Sequence, residues 1–480
     1  MRVFTQDIPQ YEEKEVELFG WVQGRRDHGK ITFIDLRDRT GIAQIVFTPQ
    51  IQEAAGLRLE YVIKVTGIVK KRPPAMVNDK IPTGKYEIDA KELEVLNSSR
   101  ELPMPVDTDG YEISEEVRLK YRYLDLRRER LKNNLIARHK VVKFIRDFLS
   151  DRGFIEIETP ILTKSTPEGA RDYLVPSRLQ KGTFYALPQS PQQYKQLLMV
   201  AGIERYFQIP RCFRDEDTRG DRQPEFTQLD LEMSFTTQDE VLNLTEELYK
   251  GIVAAHFPEK RMSTLDVKGK FPRLKYADVM REYGSDKPDL RKDKDDKNEL
   301  AFAFVVDFPM FEKKEDGSLG AVHHPFTLPT VDTSIDSQRI NHTTAEYKKV
   351  MDMLGSVSES LKLLAYQYDF VCNGYEIGGG SIRTHDPELL RAVFRRLGNS
   401  DKDITEKFGH ILEAFDYGVP PHGGIAPGID RFIMVLQNEP NIREVIAFPK
   451  TGDGRDPMMG SPSEVDKDQL DELHLRIIKK

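Results

Sequence analysis

The stretch RCFRDEDTRGDRQPEFTQLDLEMSF, residues 211–235, does most to decide the fold of this chain. Its second half alternates between apolar and polar side chains, as a strand with one buried face does. The apolar face carries Thr227, Leu229, Leu231, Met233 and Phe235, and the polar face carries Gln228, Asp230, Glu232 and Ser234. We expect a hairpin in a sheet that forms the floor of a polar cleft; a strand with a solvated polar face is the alternative.

Helical and extended segments precede this hairpin. Apolar residues recur at helical spacing over residues 133–152, and Gly153 follows them as a C-cap residue. Residues 154–160, FIEIETP, alternate like a strand that stops at the proline. Residues 190–202, SPQQYKQLLMVAG, predict a helix with Pro191 in its first position.

The N-terminal part of the chain has a different pattern. Five short segments of strand character lie at residues 15–22, 30–37, 42–47, 61–70 and 85–96. Turns rich in glycine and proline separate them. Five short strands in this length suit a small closed barrel, for which the OB-fold is the best-known candidate. A small β-domain without a ligand is the alternative.

Charge is unevenly distributed along the chain. Among 480 residues, 71 are Lys or Arg and 79 are Asp or Glu, which gives a net charge of −8 and argues against a generic polycation. Residues 20–72 nevertheless contain ten basic and five acidic residues. Cations together with an exposed aromatic side chain such as Phe33 predict a surface that binds single-stranded nucleic acid.

Cysteine content and hydropathy limit the class of protein. The sequence has two cysteines, Cys212 and Cys372, so a disulfide framework and a cysteine zinc site are excluded. Its first residues contain no apolar signal core, and no run of about 18 apolar residues occurs. We expect a cytoplasmic protein.

Three segments in order resemble the signature motifs of class II aminoacyl-tRNA synthetases. The long helix and the strand that stops at Pro160 look like motif 1, the dimer-forming element. Residues 213–216, FRDE, look like motif 2, and residues 424–432, GIAPGIDRF, look like motif 3. Five further segments resemble the bacterial aspartyl-tRNA synthetases of this class: STPEGARDYLVP (165–176), QSPQQYKQLLM (189–199), RQPEFTQLDLE (222–232), HHPF (323–326) and NGYEIGGGSIR (373–383).

The resemblance implies an α+β fold with two domains. Residues 1–105 would form an OB-fold anticodon-binding domain, residues 106–132 a hinge, and residues 133–480 a class II catalytic domain built on an antiparallel sheet flanked by helices. An open parallel nucleotide-binding sheet is disfavoured independently, because the sequence has no GxxxxGK[ST] motif and no helix-opening GxGxxG motif.

The implied reaction has two steps. The α-carboxylate of aspartate attacks the α-phosphorus of ATP, pyrophosphate leaves, and aspartyl-adenylate remains. The terminal ribose hydroxyl of tRNA then takes the aspartyl group. Because the first nucleophile is already ionised at neutral pH, we expect catalysis by alignment and charge stabilisation rather than by a strong base.

Arginines and carboxylates are the implied catalytic groups. Arg214 would bridge the α-phosphate and the substrate carboxylate, for which a guanidinium fork is well suited, and Arg431 would hold the outer phosphates. Glu376 and Asp369 resemble ligands of Mg²⁺ that would bridge to ATP. Their side chains can share one face of a sheet if a bulge occurs at Asn373–Gly374; one ligand and one structural carboxylate is the alternative.

Two larger sets complete the implied site. Contacts with ATP are implied for Arg214, Asp215, Glu216, Gln223, Glu376, Gly428, Ile429, Asp430 and Arg431. Contacts with aspartate are implied for Glu168, Gln192, Lys195, Arg214, Asp230, His323 and Arg383. Within the second set, Lys195 and Arg383 would read the side-chain carboxylate. Taken singly, such residues are more often surface ion pairs or structural groups.

The resemblance also implies binding partners, namely tRNA and a second copy of the chain. Phe33, Gln44 and Glu87 would contact the anticodon of tRNA-Asp. His28 occupies a position where many discriminating members carry leucine, and the histidine form resembles enzymes that charge both tRNA-Asp and tRNA-Asn. A second copy of the chain, in a homodimer, is implied by motif 1.

One part of the family pattern is missing. Bacterial members usually carry an inserted domain between motif 2 and HHPF, whereas residues 287–299 here form only a short charged connection. The implied site residues lie outside it, so we expect aminoacylation without the insert. Two alternatives stay open: an asparaginyl- or lysyl-tRNA synthetase of the same subclass, and a non-catalytic OB-fold protein that binds nucleic acid.

Overall fold

The structure, a computed structural model, describes residues 2–165 and 169–478. It divides into two compact units, Met1–Ile113 and Ser114–Lys480. The division falls within the segment predicted as a hinge, and residues 114–132 belong to the second unit. Across the described residues, no helix combines the length and the apolar character needed to cross a membrane.

The first unit is a closed barrel of five strands, as the strand pattern predicts. Its strands are β1 (Glu15–His28), β2 (Ile31–Arg37), β3 (Ile42–Phe47), β4 (Val62–Lys71) and β5 (Tyr86–Asn97), in the order β1-β2-β3-β5-β4. Three 3-10 helices lie at Thr5–Tyr11, Gln52–Gly56 and Pro74–Met76. The pair β3–β5 is parallel and the other pairs are antiparallel. Alternate side chains, such as Leu18, Ile34 and Val65, are buried inside.

The second unit contains the described α-helices of the chain. They are α1 (Glu115–Lys120), α2 (Arg122–Asp125), α3 (Glu129–Ser150), α4 (Gln192–Val200), α5 (Gln238–His256), α6 (Tyr276–Tyr283), α7 (Ala345–Leu354), α8 (Val357–Ser360), α9 (Pro387–Arg396), α10 (Asp401–Phe415), α11 (Ile429–Gln437) and α12 (Lys467–Glu472). Two 3-10 helices lie at Ser337–Arg339 and Ile442–Glu444. Helix α4 begins at Gln192, so Pro191 precedes the helix instead of opening it.

Short strands and one large sheet complete this unit. The strands are β6 (Ile155–Glu156), β7 (Leu174–Pro176), β8 (Phe184–Ala186), β9 (Arg205–Gln208), β10 (Arg211–Phe213), β11 (Glu225–Thr227), β12 (Asp230–Ser234), β13 (Arg261–Met262), β14 (Arg273–Lys275), β15 (Glu299–Leu300), β16 (Phe302–Pro309), β17 (Phe311–Lys313), β18 (Leu319–Ala321), β19 (Pro329–Thr330), β20 (Leu364–Cys372), β21 (Tyr375–Ile382) and β22 (His422–Pro427). The large sheet has the order β14-β16-β20-β21-β22-β12-β9-β6, with β19 beside β20.

The sheet is antiparallel through its centre and parallel at both edges. Strands β16 to β9 pair antiparallel, whereas β14 with β16 and β6 with β9 are parallel. The predicted antiparallel sheet is therefore correct for the strands that carry the cleft. The extended segment 154–160 contributes only two paired residues, Ile155–Glu156, because β6 lies at the sheet edge.

The main core lies between the sheet and helices α3, α5 and α11. Its aromatic centre has Tyr249 packed edge-on against Phe370 and Phe432, with ring centroids 4.8 and 4.5 Å apart. Phe302 stacks on Phe370 at 5.4 Å. Because alternate strand residues point to opposite faces, this packing leaves Gln367 and Asp369 of β20 on the other face.

A buried cluster of charges fastens residues 114–128 to the second unit. Asp125 accepts hydrogen bonds from Arg122 at 2.8 Å and Arg128 at 2.6 Å, and it also pairs with Arg118. Arg118 in turn donates to both oxygens of Glu444, at 3.0 and 2.6 Å. All five side chains are buried. These contacts explain why part of the predicted hinge belongs to this unit.

Replacing Asp125 tests the importance of that cluster. Asp125→Ala leaves buried arginines short of a carboxylate, so we expect the second unit to lose about 3–5 kcal/mol of unfolding free energy. Chemical denaturation followed by helical circular dichroism measures it, since the described α-helices lie in this unit. Asp147→Ala, which breaks an exposed pair with Lys143, should cost less than about 1 kcal/mol. Equal losses in the two variants would contradict the assignment.

Candidate active site

A cleft of about 320 Å³ opens over the polar face of the large sheet. Its floor comes from β12, β20, β21 and β22, and its sides from α4, α11 and the segment around HHPF. Twelve of the predicted site residues line it: Gln192, Lys195, Arg214, Glu216, Gln223, Asp230, His323, Glu376, Arg383, Gly428, Asp430 and Arg431. The polar face of residues 228–234 thus belongs to a cleft and not to a solvated strand.

Four buried charges meet at the inner end of the cleft. Lys195 Nζ lies 3.1 Å from a carboxylate oxygen of Asp230 and 3.1 Å from one of Glu232. Arg383 donates to both oxygens of Glu232, at 2.9 and 3.2 Å. Two cations that can receive an anionic ligand are therefore held in place by two carboxylates.

Burial and charge act differently on these two carboxylates. Burial raises the pKa of Asp230 to about 6, and the nearby charge of Lys195 only partly opposes that shift. Burial also opposes ionisation of Glu232, but the charges of Arg383 and Lys195 outweigh it and lower the pKa of Glu232 to about 2. At neutral pH, Glu232 is the firmly ionised partner of both cations.

Glu232 is a candidate functional residue to which the sequence pattern gave no role. The one sequence signal for a role of Glu232 is the strand alternation, which places it on the polar face. Its partner Arg383 is 151 positions away, so no local pattern reveals the pair. Gly424 leaves room for the carboxylate, since a Cβ at that position would lie 2.3 Å from Glu232 Oε2.

Two buried atoms near this cluster are poised for a ligand. Gln192 Nε2 and Asp230 Oδ1 have no hydrogen-bond partner among the residues that the structure describes. Buried polar groups are normally paired. An amide N–H donates to a carboxylate and a carboxylate oxygen accepts from an ammonium group, so the two atoms suit the opposite charges of an amino acid.

Arg214 is placed by the hairpin of β10 and β11. Its N–H donates to the carbonyl of Pro224 at 2.9 Å across the hairpin. Its guanidinium carbon lies 5.0 Å from the centroid of the Phe226 ring, a cation–π contact that orients the fork. Both side chains line the cleft, so an anion in the cleft can meet Arg214.

The loop of the same hairpin supplies three of the predicted ATP contacts. Glu216 pairs with Arg222 at 3.1 Å. The Gln223 side chain donates to the carbonyl of Lys450 at 3.1 Å and accepts its N–H at 2.8 Å. Asp215 lies 3.4 Å from the exposed Arg171. Gln223 is therefore held by the main chain in this state, and its role toward ATP stays a prediction.

Arg431, at the start of α11, connects the loop to β21. It donates to the carbonyls of Asp221 at 3.1 Å and Glu376 at 2.9 Å. Its guanidinium also lies 3.2 Å from the Asp221 carboxylate and 3.9 Å from that of Glu376. Burial opposes ionisation of Glu376, but Arg431 and Lys287 outweigh it and lower the pKa of that carboxyl.

Asp369 and Glu376 do share one face of the sheet, but the prediction that this needs a bulge at Asn373–Gly374 is wrong. Asn373 and Gly374 form the two-residue hairpin turn, with φ of 53° and 83°. The register shifts instead opposite Phe370 and Val371, where Val371 pairs with Glu376 and Phe370 with Gly378. Because Glu376 pairs with Val371, two residues from Asp369 on β20, the hairpin register itself puts the two carboxylates on one face. The extra residue in β21 is Ile377, and it brings Gly379 to that same face.

The site fits a divalent cation on the observed geometry. A Cβ at Gly379 would lie 3.1 Å from Asp369 Oδ1 and 3.6 Å from Glu376 Oε1, so both carboxylates border the same small space. Asp369 is fully buried, and its Oδ2 has no hydrogen-bond partner in the described parts of the chain. Burial raises the pKa of Asp369 to about 7, His323 opposes the rise, and Glu376 adds to it. Hard carboxylate oxygens of this kind suit Mg²⁺.

The remaining predicted site residues have other surroundings. Asp430 accepts the N–H of Thr227 at 2.8 Å and pairs with Arg138. The Ile429 side chain is part of the main core. His323 lies 3.5 Å from Asp369, at the carboxylate pair and not at the Lys195 cluster. Glu168 lies outside the described residues.

The first unit carries a polar cluster on its barrel surface. Gln44 donates to Glu87 at 3.3 Å and accepts from Arg26 at 3.4 Å. Phe33 lies on the same face of β2 as Asp35, the pairing partner of Gln44. His28 is exposed at the end of β1. The register therefore brings the three predicted anticodon contacts together.

Two families of known proteins match the chain. The family described as tRNA synthetases class II (D, K and N) matches residues 114–452, and an OB-fold nucleic acid binding domain matches residues 16–96. The solved structure of asparaginyl-tRNA synthetase from Pyrococcus horikoshii, complexed with asparaginyl-adenylate, is similar with a TM-score of 0.72 at 23% identity. It covers 94% of this chain and 98% of that one, which shows a shared fold.

Curated relatives are similar over nearly the whole chain. One from Dehalococcoides mccartyi, named aspartate–tRNA(Asp/Asn) ligase, is 42% identical and covers 96% of each chain. One from Bacillus licheniformis, named aspartate–tRNA ligase, is 40% identical and covers 97% of this chain and 96% of its own. The alignment with the Dehalococcoides relative runs over 603 positions, whereas this chain has 480 residues. At least 123 positions of that relative therefore have no counterpart in this chain.

Glu232→Gln tests the buried charge cluster. Two buried cations lose their shared anion, so at pH 7 we expect a loss of about 3 kcal/mol of unfolding free energy. Because the folded pKa of about 2 lies below the ordinary 4.5, this stabilisation is full above the ordinary value and is lost as pH falls toward 2. Thermal unfolding of both proteins across that range measures the difference. The surface variant Glu156→Gln should cost less than about 1 kcal/mol; a pH-independent gap between wild type and Glu232→Gln would contradict the assignment.

Proposed function

The chain belongs to the class II tRNA synthetases of the aspartate, lysine and asparagine group, and on that premise we propose that it is an aspartate–tRNA ligase. The observation that carries this choice is the inner end of the cleft, where Lys195 and Arg383 are buried and both pair with Glu232. Donors of this kind suit a carboxylate at the end of a short side chain. A protein of this type acts on tRNA in the cytoplasm, which is the compartment we propose.

Positioning of aspartate follows from atoms that are already in place. The side-chain carboxylate meets Lys195 and Arg383, which Glu232 keeps oriented. Asp230 Oδ1 accepts from the substrate ammonium, and Gln192 Nε2 donates to a carboxylate oxygen. A lysine side chain would bring a third cation to two buried cations, and an asparagine amide offers one acceptor where a carboxylate offers two.

Activation places the substrate carboxylate beside the α-phosphate of ATP. Arg214 holds oxygens of both groups with its fork, so the carboxylate oxygen is aligned to attack phosphorus while pyrophosphate leaves. Arg431 and the loop of Glu216 and Gln223 hold the rest of the nucleotide. Asp369 and Glu376 would hold Mg²⁺, which supplies charge neutralisation at the phosphates when bound. The negative charge that develops is met by fixed cations instead of a general base.

Transfer needs a tRNA, and the barrel supplies its binding surface. Phe33 offers a ring on which a base can stack, and Gln44 and Glu87 offer base-edge donors and acceptors. We propose tRNA-Asp as the partner and tRNA-Asn as a second one, as the name of the Dehalococcoides relative also says of that protein. The residues to which this reaction assigns roles are all present in this chain, so we propose that charging proceeds without the positions that only the relatives have.

A second copy of the chain is a further proposed partner. Apolar side chains on α3 and the segment after it are exposed, namely Ile136, Ile155, Ile161 and Leu162. Exposed apolar residues that lie near one another mark a protein interface. They belong to the region that resembles motif 1, so we propose a homodimer through this surface.

Arg214→Ala tests the proposed reaction. The wild-type chain should exchange pyrophosphate into ATP with aspartate and not with lysine or asparagine. Without the Arg214 fork we expect a loss of at least about a hundredfold, since one preorganised donor to a developing anion has that effect. Arg211→Ala removes a surface arginine of the same hairpin, paired with Glu225, and should keep the activity. No aspartate-dependent exchange by the wild type would end the proposal.

His28→Leu tests the second tRNA substrate. If His28 at the barrel surface permits both tRNAs, the leucine variant should charge tRNA-Asn about tenfold more slowly, as for a single lost or blocked base contact. Charging of tRNA-Asp should change by less than about twofold. Assays on the two purified tRNAs measure both rates. Equal rates with tRNA-Asn for wild type and variant would leave His28 as an ordinary surface residue.

A further inference from the structure

Lys287 is a cation paired with Glu376 of the cleft, and neither the sequence pattern nor the proposed reaction gives it a role. Its Nζ lies 3.2 Å from Glu376 Oε2. Arg431 approaches the same oxygen at 3.9 Å. Glu376 is one of the two carboxylates that border the space for a divalent cation. An ammonium group therefore occupies one side of an oxygen that a metal ligand would have to offer.

The segment around Lys287 is built to hold it there. Helix α6 ends at Tyr283 and is capped by Gly284, whose φ of 65° turns the chain back. Ser285 Oγ accepts the N–H of Lys287 at 3.1 Å. Pro288 follows and restricts Lys287 to extended conformations, and Leu290 packs against the apolar cluster of β16 and α6. The short loop that carries Lys287 is thus anchored on both sides of this residue.

Asp286, the residue before Lys287, also lies close to the carboxylate pair of Asp369 and Glu376. A ligand atom of Asp286 lies within 4.8 Å of ligand atoms of His323 and Asp369. Asp369 Oδ2 is buried and makes no hydrogen bond to the described residues, and His323 Nε2 lies 3.5 Å from it. The loop therefore approaches the two carboxylates with a negative group and a positive group, Asp286 toward Asp369 and Lys287 toward Glu376.

We propose, building on the proposed function, that Lys287 is a resident counter-ion of the cation site. Without a divalent cation, its ammonium neutralises Glu376. When the site is filled, Lys287 releases that carboxylate and turns to the phosphate oxygens of ATP. Lys287 thus competes with a lone metal ion but cooperates with a metal ion that arrives together with the nucleotide.

Electrostatics gives this exchange its direction. A divalent cation beside Glu376 repels the ammonium, while a polyphosphate attracts it. The flexible four-carbon stem of lysine lets the charge move without a change in the backbone. Free metal is therefore held weakly, and tight binding of metal waits for ATP.

Binding of Mn²⁺ to the full chain without ATP tests the exchange directly. Free Mn²⁺ is followed by electron paramagnetic resonance for wild type and Lys287→Met. Loss of one positive charge beside the site should tighten Mn²⁺ binding by about tenfold. In pyrophosphate exchange the same variant should show an ATP KM raised by about tenfold, because the phosphates lose a cation, with the aspartate KM unchanged.

Three further proteins serve as controls for this experiment. Lys292→Met removes an exposed charge from the same connection and should bind Mn²⁺ like the wild type. Lys287→Arg keeps the charge and should not tighten binding. Adding Glu376→Gln to Lys287→Met should abolish the gain. Unchanged or weaker Mn²⁺ binding by Lys287→Met, or no binding by either protein, overturns the proposal, whereas absent exchange in the wild type would overturn the proposed function alone.

Discussion

The pairing of Glu232 with Lys195 and Arg383 is the constraint around which the cleft is built. Two cations cannot be buried at the centre of a sheet unless an anion accompanies them, because each charge loses its hydration. Glu232 supplies that anion from β12, while α4 and the end of β21 supply the cations. The ion pairs therefore join three elements at one point, and the same point is the place where an anionic ligand would be recognised.

Three glycines allow the backbone to approach closely around these ion pairs. A Cβ at Gly424 would lie 2.3 Å from Glu232 Oε2, and one at Gly380 would lie 2.2 Å from the carbonyl of Gly424. Gly379 instead keeps open the space beside Asp369. The three glycines thus have different tasks: two of them allow close packing of the strands around the ion pairs, and one preserves a space for a ligand.

Regular patterns in the sequence predicted the helices and strands. The side-chain pairs that the sequence did not predict are those between residues far apart in the chain. Five alternating segments gave the barrel strands, and helical spacing over residues 133–152 agrees with α3 over most of its length. Strand parity predicted that Asp369 and Glu376 share a face only with a bulge at Asn373–Gly374. Those residues instead form the hairpin turn, and the pairing of Val371 with Glu376 aligns the two carboxylates without a bulge. Glu232 and Lys287 received no role, because their partners are distant in sequence and no local signal records them.

Balanced charge also explains how an acidic chain can handle anionic substrates. The net charge is −8, but four cations in and beside the cleft face a carboxylate: Lys195 and Arg383 face Glu232, and Lys287 and Arg431 face Glu376. Such pairs attract ligands weakly at long range, since the opposite charges cancel at distances larger than their separation, and salt screens the remaining field beyond about a Debye length. Recognition then depends on contact, where an arriving carboxylate or phosphate can share a cation that is already oriented. Residues 20–72 of the barrel, with ten basic and five acidic residues, are the segment suited to attraction at a distance.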